Sequence, residues 1–134
     1  MDLTTQFPRS PYDMNASLVI LPRTTDKAIA SNENTVGEYH YGCPLDQGLF
    51  DFLGVDKDAF AAKVKELGTD EKIAEWVESL GKTKEEKDAF NNKMRHKQPD
   101  NEESKAWLQK EQERLGRKDY YSYFDNLDAD EERF

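Results

Sequence analysis

The sequence predicts an all-α fold: a compact single domain of five or six short helices with an irregular N-terminal arm. Three observations carry that reading. From Asp56 to Gly116, apolar residues recur at three- and four-residue spacing behind residues that cap helix N-termini, and glycine or proline stands at each exit. The composition balances 36% hydrophobic against 35% charged residues, as long charged side chains on helix surfaces require. A length of 134 residues suffices for one core and no more.

Taken in order, residues 1–21 form the arm. Pro8 and Pro11 forbid a continuous helix, while Phe7, Tyr12 and the run Leu18 to Leu21 can pin the arm to the core. Pro22 opens a short helix to Ala30, with Asp26 near its positive end, and Asn32, Asn34 and Gly37 mark its exit. Pro44 opens the next helix behind Cys43 at the N-cap, and Gly54 stops it. Leu45, Leu49, Phe50, Phe52 and Leu53 give it an apolar face; Asp46, Gln47 and Asp51 fall mostly on the other side.

Asp56 caps a helix to about Leu67 that carries Phe60 and Val64. Thr69 or Asp70 caps another, whose stripe of Ile73, Trp76, Val77 and Leu80 makes Trp76 the expected centre of the core. Thr83 with Glu86, and Asp100 with Glu103, pattern as capping boxes for two more polar helices ending before Pro99 and at Gly116. A faint repeat relates Asp56 to Lys63 with Glu86 to Lys93, which implies two helical hairpins or chance likeness between amphipathic helices. Residues 1–118 thus make the helical domain, and 119–134 an aromatic and acidic tail. Four rings between Tyr120 and Phe124 must dock, onto the chain itself, onto a second subunit as a homodimer or onto another protein, while the acids behind them stay in water and mobile.

The net charge of −9 makes the chain acidic, and the charge is unevenly spread: 3 basic and 7 acidic residues up to position 55, 15 and 15 from 56 to 118, and 1 and 6 thereafter. That balance disfavours nucleic acid. The basic cluster Lys93 to Lys97 is matched by nearby acids and reads as a solvated face. No apolar run approaches a membrane span and Met1 to Leu3 opens without signal-peptide character, so a cytoplasmic location is expected, and the lone cysteine agrees with a reducing compartment.

Chemistry concentrates between Gly37 and Asp46. A thiol at a helix N-terminus lies in the positive end of the peptide dipole, which favours thiolate; equally, a free cysteine often serves as a small buried hydrophobe. His40 and Cys43 are the catalytic candidates, but a nucleophile pair needs a third group to orient the base, with Asp46 or Glu38 available. Their spacing also suits a metal, for which further ligands are missing, so no metal and no cofactor is expected. Asp125, Asp128 and Asp130 lack the glycine and distal glutamate of a calcium loop.

Leu21-Pro22-Arg23 with Asp26-Lys27-Ala28, then Gly37 to Gln47, Phe52 to Val55 and Ile73-Ala74 with Trp76-Val77, resemble over roughly residues 5–80 a family of small bacterial proteins known only as a domain of unknown function. The resemblance departs at Ile29, where an arginine is common, and implies a bacterial cytoplasmic protein while supplying no activity. From the residues themselves, two functions are open. One is a binding or adaptor module presenting Arg23, Asp26, Lys27, Tyr39, His40, Tyr41 and Asp46 to a small anionic ligand or a protein, with Arg23 as a charged fork, Lys27 as a second cation and the tyrosines as an apolar wall. The other is a small enzyme using Cys43 or His40. The charges can also be purely structural, with Arg23 and Lys27 paired to Asp26, Glu38 or Asp46.

Overall fold

A computed structural model describes residues 1–133. Among them the chain forms a two-stranded hairpin and seven helices: β1 (Met14–Asn15), β2 (Leu18–Val19), α1 (Leu21–Asn32), α2 (Pro44–Leu53), α3 (Lys57–Leu67), α4 (Asp70–Ser79), α5 (Lys84–His96), α6 (Glu102–Leu115) and α7 (Tyr123–Asp130). The fold is therefore mostly helical, with more helices than the five or six expected and a small sheet besides. The strands pair antiparallel, Met14 opposite Val19 and Asn15 opposite Leu18. Their turn residues, Ala16 and Ser17, both have positive φ (52° and 61°), as a tight hairpin demands, although neither is a residue type that favours it.

Helix α1 is the axis of the molecule. It packs chiefly on α3, and every residue from Leu21 to Ala28 is buried, the polar run Arg23 to Lys27 included. Such burial is tolerable only because each polar group is matched. Thr25 donates to the Leu21 carbonyl (2.7 Å), and Asp26 accepts from the Arg9 main chain (2.9 Å) and guanidinium (3.0 Å). The helix begins at Ile20, whose φ of 64° is a strained value for a β-branched residue. Its main chain is fixed by donation to the Pro11 carbonyl (2.9 Å) and acceptance from the Thr24 N–H (2.9 Å).

The core gathers Leu18, Leu21, Leu49, Phe50, Phe60, Val64, Ile73, Val77 and Phe124 around α1. Phe60 and Phe50 meet at 5.2 Å between ring centroids. Trp76 is not the core's centre: it is half-buried at the margin, its ring 6.1 Å from Phe60 and capped by the Lys63 ammonium at 5.9 Å, while Ile73 and Val77 fill the interior. Helix caps follow the expected residues at Cys43, Asp56, Thr69 and Thr83. At α6 the box lies one residue later than expected, formed by Asn101 and Ser104. The likeness of residues 56–63 to 86–93 does not extend to packing, since α3 pairs with α4 whereas the main partner of α6 is α7.

The C-terminal segment also departs from expectation. Tyr120 and Phe124 are buried in their own chain, with Tyr12 edge-on to Phe124 at 5.2 Å, so those two rings are not available to a dimer, although Tyr121 remains 69% exposed. Not all the acids behind these rings stay in water, although Asp130 and Glu132 are exposed. Asp128 is buried against the Ser10 hydroxyl (2.9 Å), Asp125 accepts from the Tyr12 hydroxyl (2.6 Å), and Glu131 is buried beneath α1. Burial and Asp125 together push the Tyr12 hydroxyl up to about 12. No helix among the described residues is long and apolar enough to cross a membrane.

Candidate functional site

A cleft of about 1090 Å³ opens where the polar side of α1, the loop into α2, the N-terminal arm and the end of α7 converge. Of the expected site residues it brings together Arg23, Lys27, Tyr39, His40, Cys43 and Asp46. Two others lie elsewhere. Asp26 turns away to Arg9, which also bridges to Asp70 (2.7 Å). Tyr41 leaves the cleft because its ring packs on Phe50 (5.8 Å) and its hydroxyl donates to the Lys57 carbonyl (2.5 Å).

The floor consists of two buried ion pairs. In the first, the Arg23 guanidinium grips Glu131 with both nitrogens, at 2.8 and 2.7 Å, and also donates to the Arg9 carbonyl (3.2 Å). Tyr39 donates its hydroxyl to the same carboxylate (3.0 Å) and presents its ring to Arg23 at 5.7 Å. Arg133 completes the cluster by bonding Glu131 and the Pro8 carbonyl. Burial alone would push the Glu131 carboxyl up, but Arg23, Arg133 and Tyr39 outweigh it and hold the group below its ordinary range. Burial and the neighbouring Glu131 drive the Tyr39 hydroxyl the other way, upward.

In the second pair, Lys27 donates to Asp46 at 2.7 Å. Asp46 also accepts from the Thr24 hydroxyl (2.7 Å) and the Gly42 N–H (3.0 Å). Its place in the first turn of α2 explains why a residue expected on the polar side is fully buried: there its oxygens meet donors from α1 and from the loop into α2. Lys27 reaches one further atom, the Cys43 sulfur, at 3.4 Å. His40 is exposed and makes no hydrogen bond to Cys43 among the described residues, so the thiol has an ammonium beside it rather than an imidazole.

The walls come from segments that residue chemistry did not single out. Leu3 is pinned by donation to the Thr35 carbonyl (2.8 Å), and its own carbonyl lies so near Gly37 that a Cβ there would stand 3.2 Å away. At Gly37, with φ of 59°, the chain therefore needs glycine twice over. Phe7, Leu45 and Leu127 add apolar surface. The one residue that decides the site's charge, Glu131, sits in an acidic run with nothing local to distinguish it from its neighbours. Among the described residues no group of three His, Cys, Asp or Glu side chains could hold a metal ion.

The chain matches the family model of a domain of unknown function, DUF5069, over residues 5–133, and it belongs to that family. The match spans α5, α6 and α7 as well as the segments before residue 80 that carry the resemblance. No curated protein matches the chain.

Proposed function

Because the family carries no activity to borrow, we propose from the cleft itself that the protein is a non-catalytic binding module. Its ligand is a small molecule with a neutral or cationic hydrogen-bonding head and an apolar portion. The observation that supports this most is the pairing of the floor: Arg23 and Lys27 are both neutralised by buried carboxylates, so the free anion site first expected of them is already filled. The cleft lining otherwise adds acids, Glu38 and Asp130, together with the apolar edges of Phe7, Leu45 and Tyr39. Such a floor is pre-organised, with its polar groups held before any ligand arrives. An anion enters only by displacing Glu131 from Arg23.

Thermal shift against panels of organic amines, neutral amides and carboxylates tests the reading. A ligand at about a hundred times its Kd adds about 2.7 kcal/mol of stability, and Tyr39→Ala abolishes the shift. Amines or amides should stabilise the wild-type chain and carboxylates should not; Glu131→Gln should reverse that order by releasing Arg23. No stabilisation by any class, with native mass spectrometry showing no co-purified mass, would remove the proposal.

The contact between the Lys27 ammonium and the Cys43 sulfur favours a second reading, thiol chemistry in the same cleft. Alkylation of the native chain separates the two. Rapid modification at neutral pH, outpacing the same thiol in denaturant, favours the enzyme; protection until unfolding removes it.

A further inference from the structure

Helix α6 buries only Leu108 and has α7 as its main support. On its outer side Glu103, Trp107, Lys110 and Arg114 follow one another at spacings of four, three and four residues. At 3.6 residues per turn they fall within about 60° of arc. All four are exposed, Trp107 by 44%. One face of its ring rests on Tyr123, with 5.9 Å between centroids. Beside it lies a hollow of about 360 Å³ lined by Asn101, Glu103, Ser104, Trp107 and Tyr123. Neither Glu103 nor Lys110 has an ion-pair or hydrogen-bond partner among the described side chains, whereas Arg114 already pairs with Glu111 (2.9 Å) and with Asp130 of α7 (2.8 Å).

The two unpaired charges of this stripe, Glu103 and Lys110, lie on either side of Trp107 and complement each other. Turning a second α6 antiparallel about a two-fold axis between Leu108 and Gln109 sets Trp107 opposite Lys110 of the second copy, and Glu103 opposite Arg114 of the second copy, a guanidinium that Glu111 and Asp130 of its own chain already share. Each contact then occurs twice, as an isologous interface requires. The Lys110 ammonium would lie over the outer face of the indole and within reach of Glu103 at the hollow, a cation–π contact supported by a carboxylate. A parallel pairing would set Glu103 on Glu103 and Lys110 on Lys110, and like charges facing each other oppose it.

We propose that the Trp107 stripe of α6 is a self-association surface, pairing two copies of the chain through antiparallel α6 helices. A helix of 14 residues is about 21 Å long, so the contact falls near or below the lower limit of about 1,200 Å² for stable interfaces. The dimer is therefore reversible and concentration-dependent. It does not depend on the cleft reading.

Sedimentation velocity on the full chain from micromolar to about 1 mM, spanning the range of weak association, should show a monomer passing to a dimer. Trp107→Ala and Lys110→Glu should each raise the dimer Kd by about tenfold or more. Circular dichroism should remain unchanged, because neither side chain is buried. Orientation is read by cross-linking on a Cys43→Ser background. Glu103→Cys and Arg114→Cys chains should link to each other when mixed and not when each is alone. A chain that stays monomeric throughout overturns the proposal and leaves the stripe to another protein or to none. Self-linking of either single variant overturns the antiparallel register, and a dimer indifferent to both substitutions overturns the surface.

Discussion

Replacing Glu131 with glutamine keeps its volume but removes the charge that matches Arg23, leaving a buried guanidinium with a weaker acceptor. Truncating one partner of a buried ion pair costs about 3 kcal/mol or more, and chemical denaturation of Glu131→Gln at pH 7 should show a loss of that order. The pH dependence follows from the direction of the shift. Because the folded chain holds the Glu131 carboxyl below its unfolded value, the unfolded chain binds more protons between the two, and stability falls as pH falls through the folded value. The gap between wild type and variant should be full above the ordinary glutamate value of about 4.3 and close only as pH falls through the lower folded value. Asp128 runs the other way: burial raises it against the pull of Ser10 and Arg133. Its contribution is present below the unfolded value and lost as pH rises through the folded one. Asp128→Asn should therefore improve relative to wild type as pH rises from 3 to 7, and a loss that grows with pH would contradict the assignment.

At the scale of elements, local chemistry was legible wherever it sufficed. The Thr83 and Glu86 box, the Cys43-Pro44 start and the Gly54 stop needed only neighbours in sequence. The hairpin was not legible, because Ala16 and Ser17 adopt positive φ without the Asn or Gly that would announce it. What holds it is remote: Asn91 on α5 accepts from the Val19 N–H (3.0 Å) and donates to the Ser17 carbonyl (2.8 Å). Asn91→Leu leaves both main-chain groups unmatched and should cost about 2 kcal/mol with helix content unchanged, as equilibrium melts and far-ultraviolet dichroism can report. A cost below about 0.5 kcal/mol would mean that water substitutes for the amide. Trp76 was misjudged for a related reason. A helical stripe marks a buried side but not which of its members lies at the middle, and α1 and α3 give that place to Ile73 and Val77. Helix α6, with one buried residue, should exchange its amide hydrogens through local opening, well before the fully packed α1.

For the whole molecule, the two ends of the chain form one unit. Ser10 meets Asp128, Tyr12 meets Asp125 and Phe124, and Arg23 is closed over by Glu131. The nearest of these pairs in sequence, Arg23 and Glu131, is 108 residues apart, so no periodicity or spacing could pair them. The cleft's residues between 23 and 46 were recognisable by type, whereas the pairing of Arg23 and the closure over it depend on Glu131, just beyond α7. The aromatic tail was expected to dock and does, but Asp128 and Glu131 were misplaced in water because Ser10 and Arg23, which meet them, are distant in the sequence. Deleting residues 119–134 tests this closure. The deletion removes the buried Phe124 and Tyr120, of which a phenylalanine alone is worth about 3 to 5 kcal/mol, and it exposes Arg23 as well. Together these losses approach the whole stability of a domain this size, about 5 to 15 kcal/mol. The truncated chain should lose its cooperative melt and bind hydrophobic dyes. A truncated chain that melts cooperatively within about 4 °C of wild type, a shift worth roughly 1 kcal/mol, would show that α7 merely rests on a core complete without it.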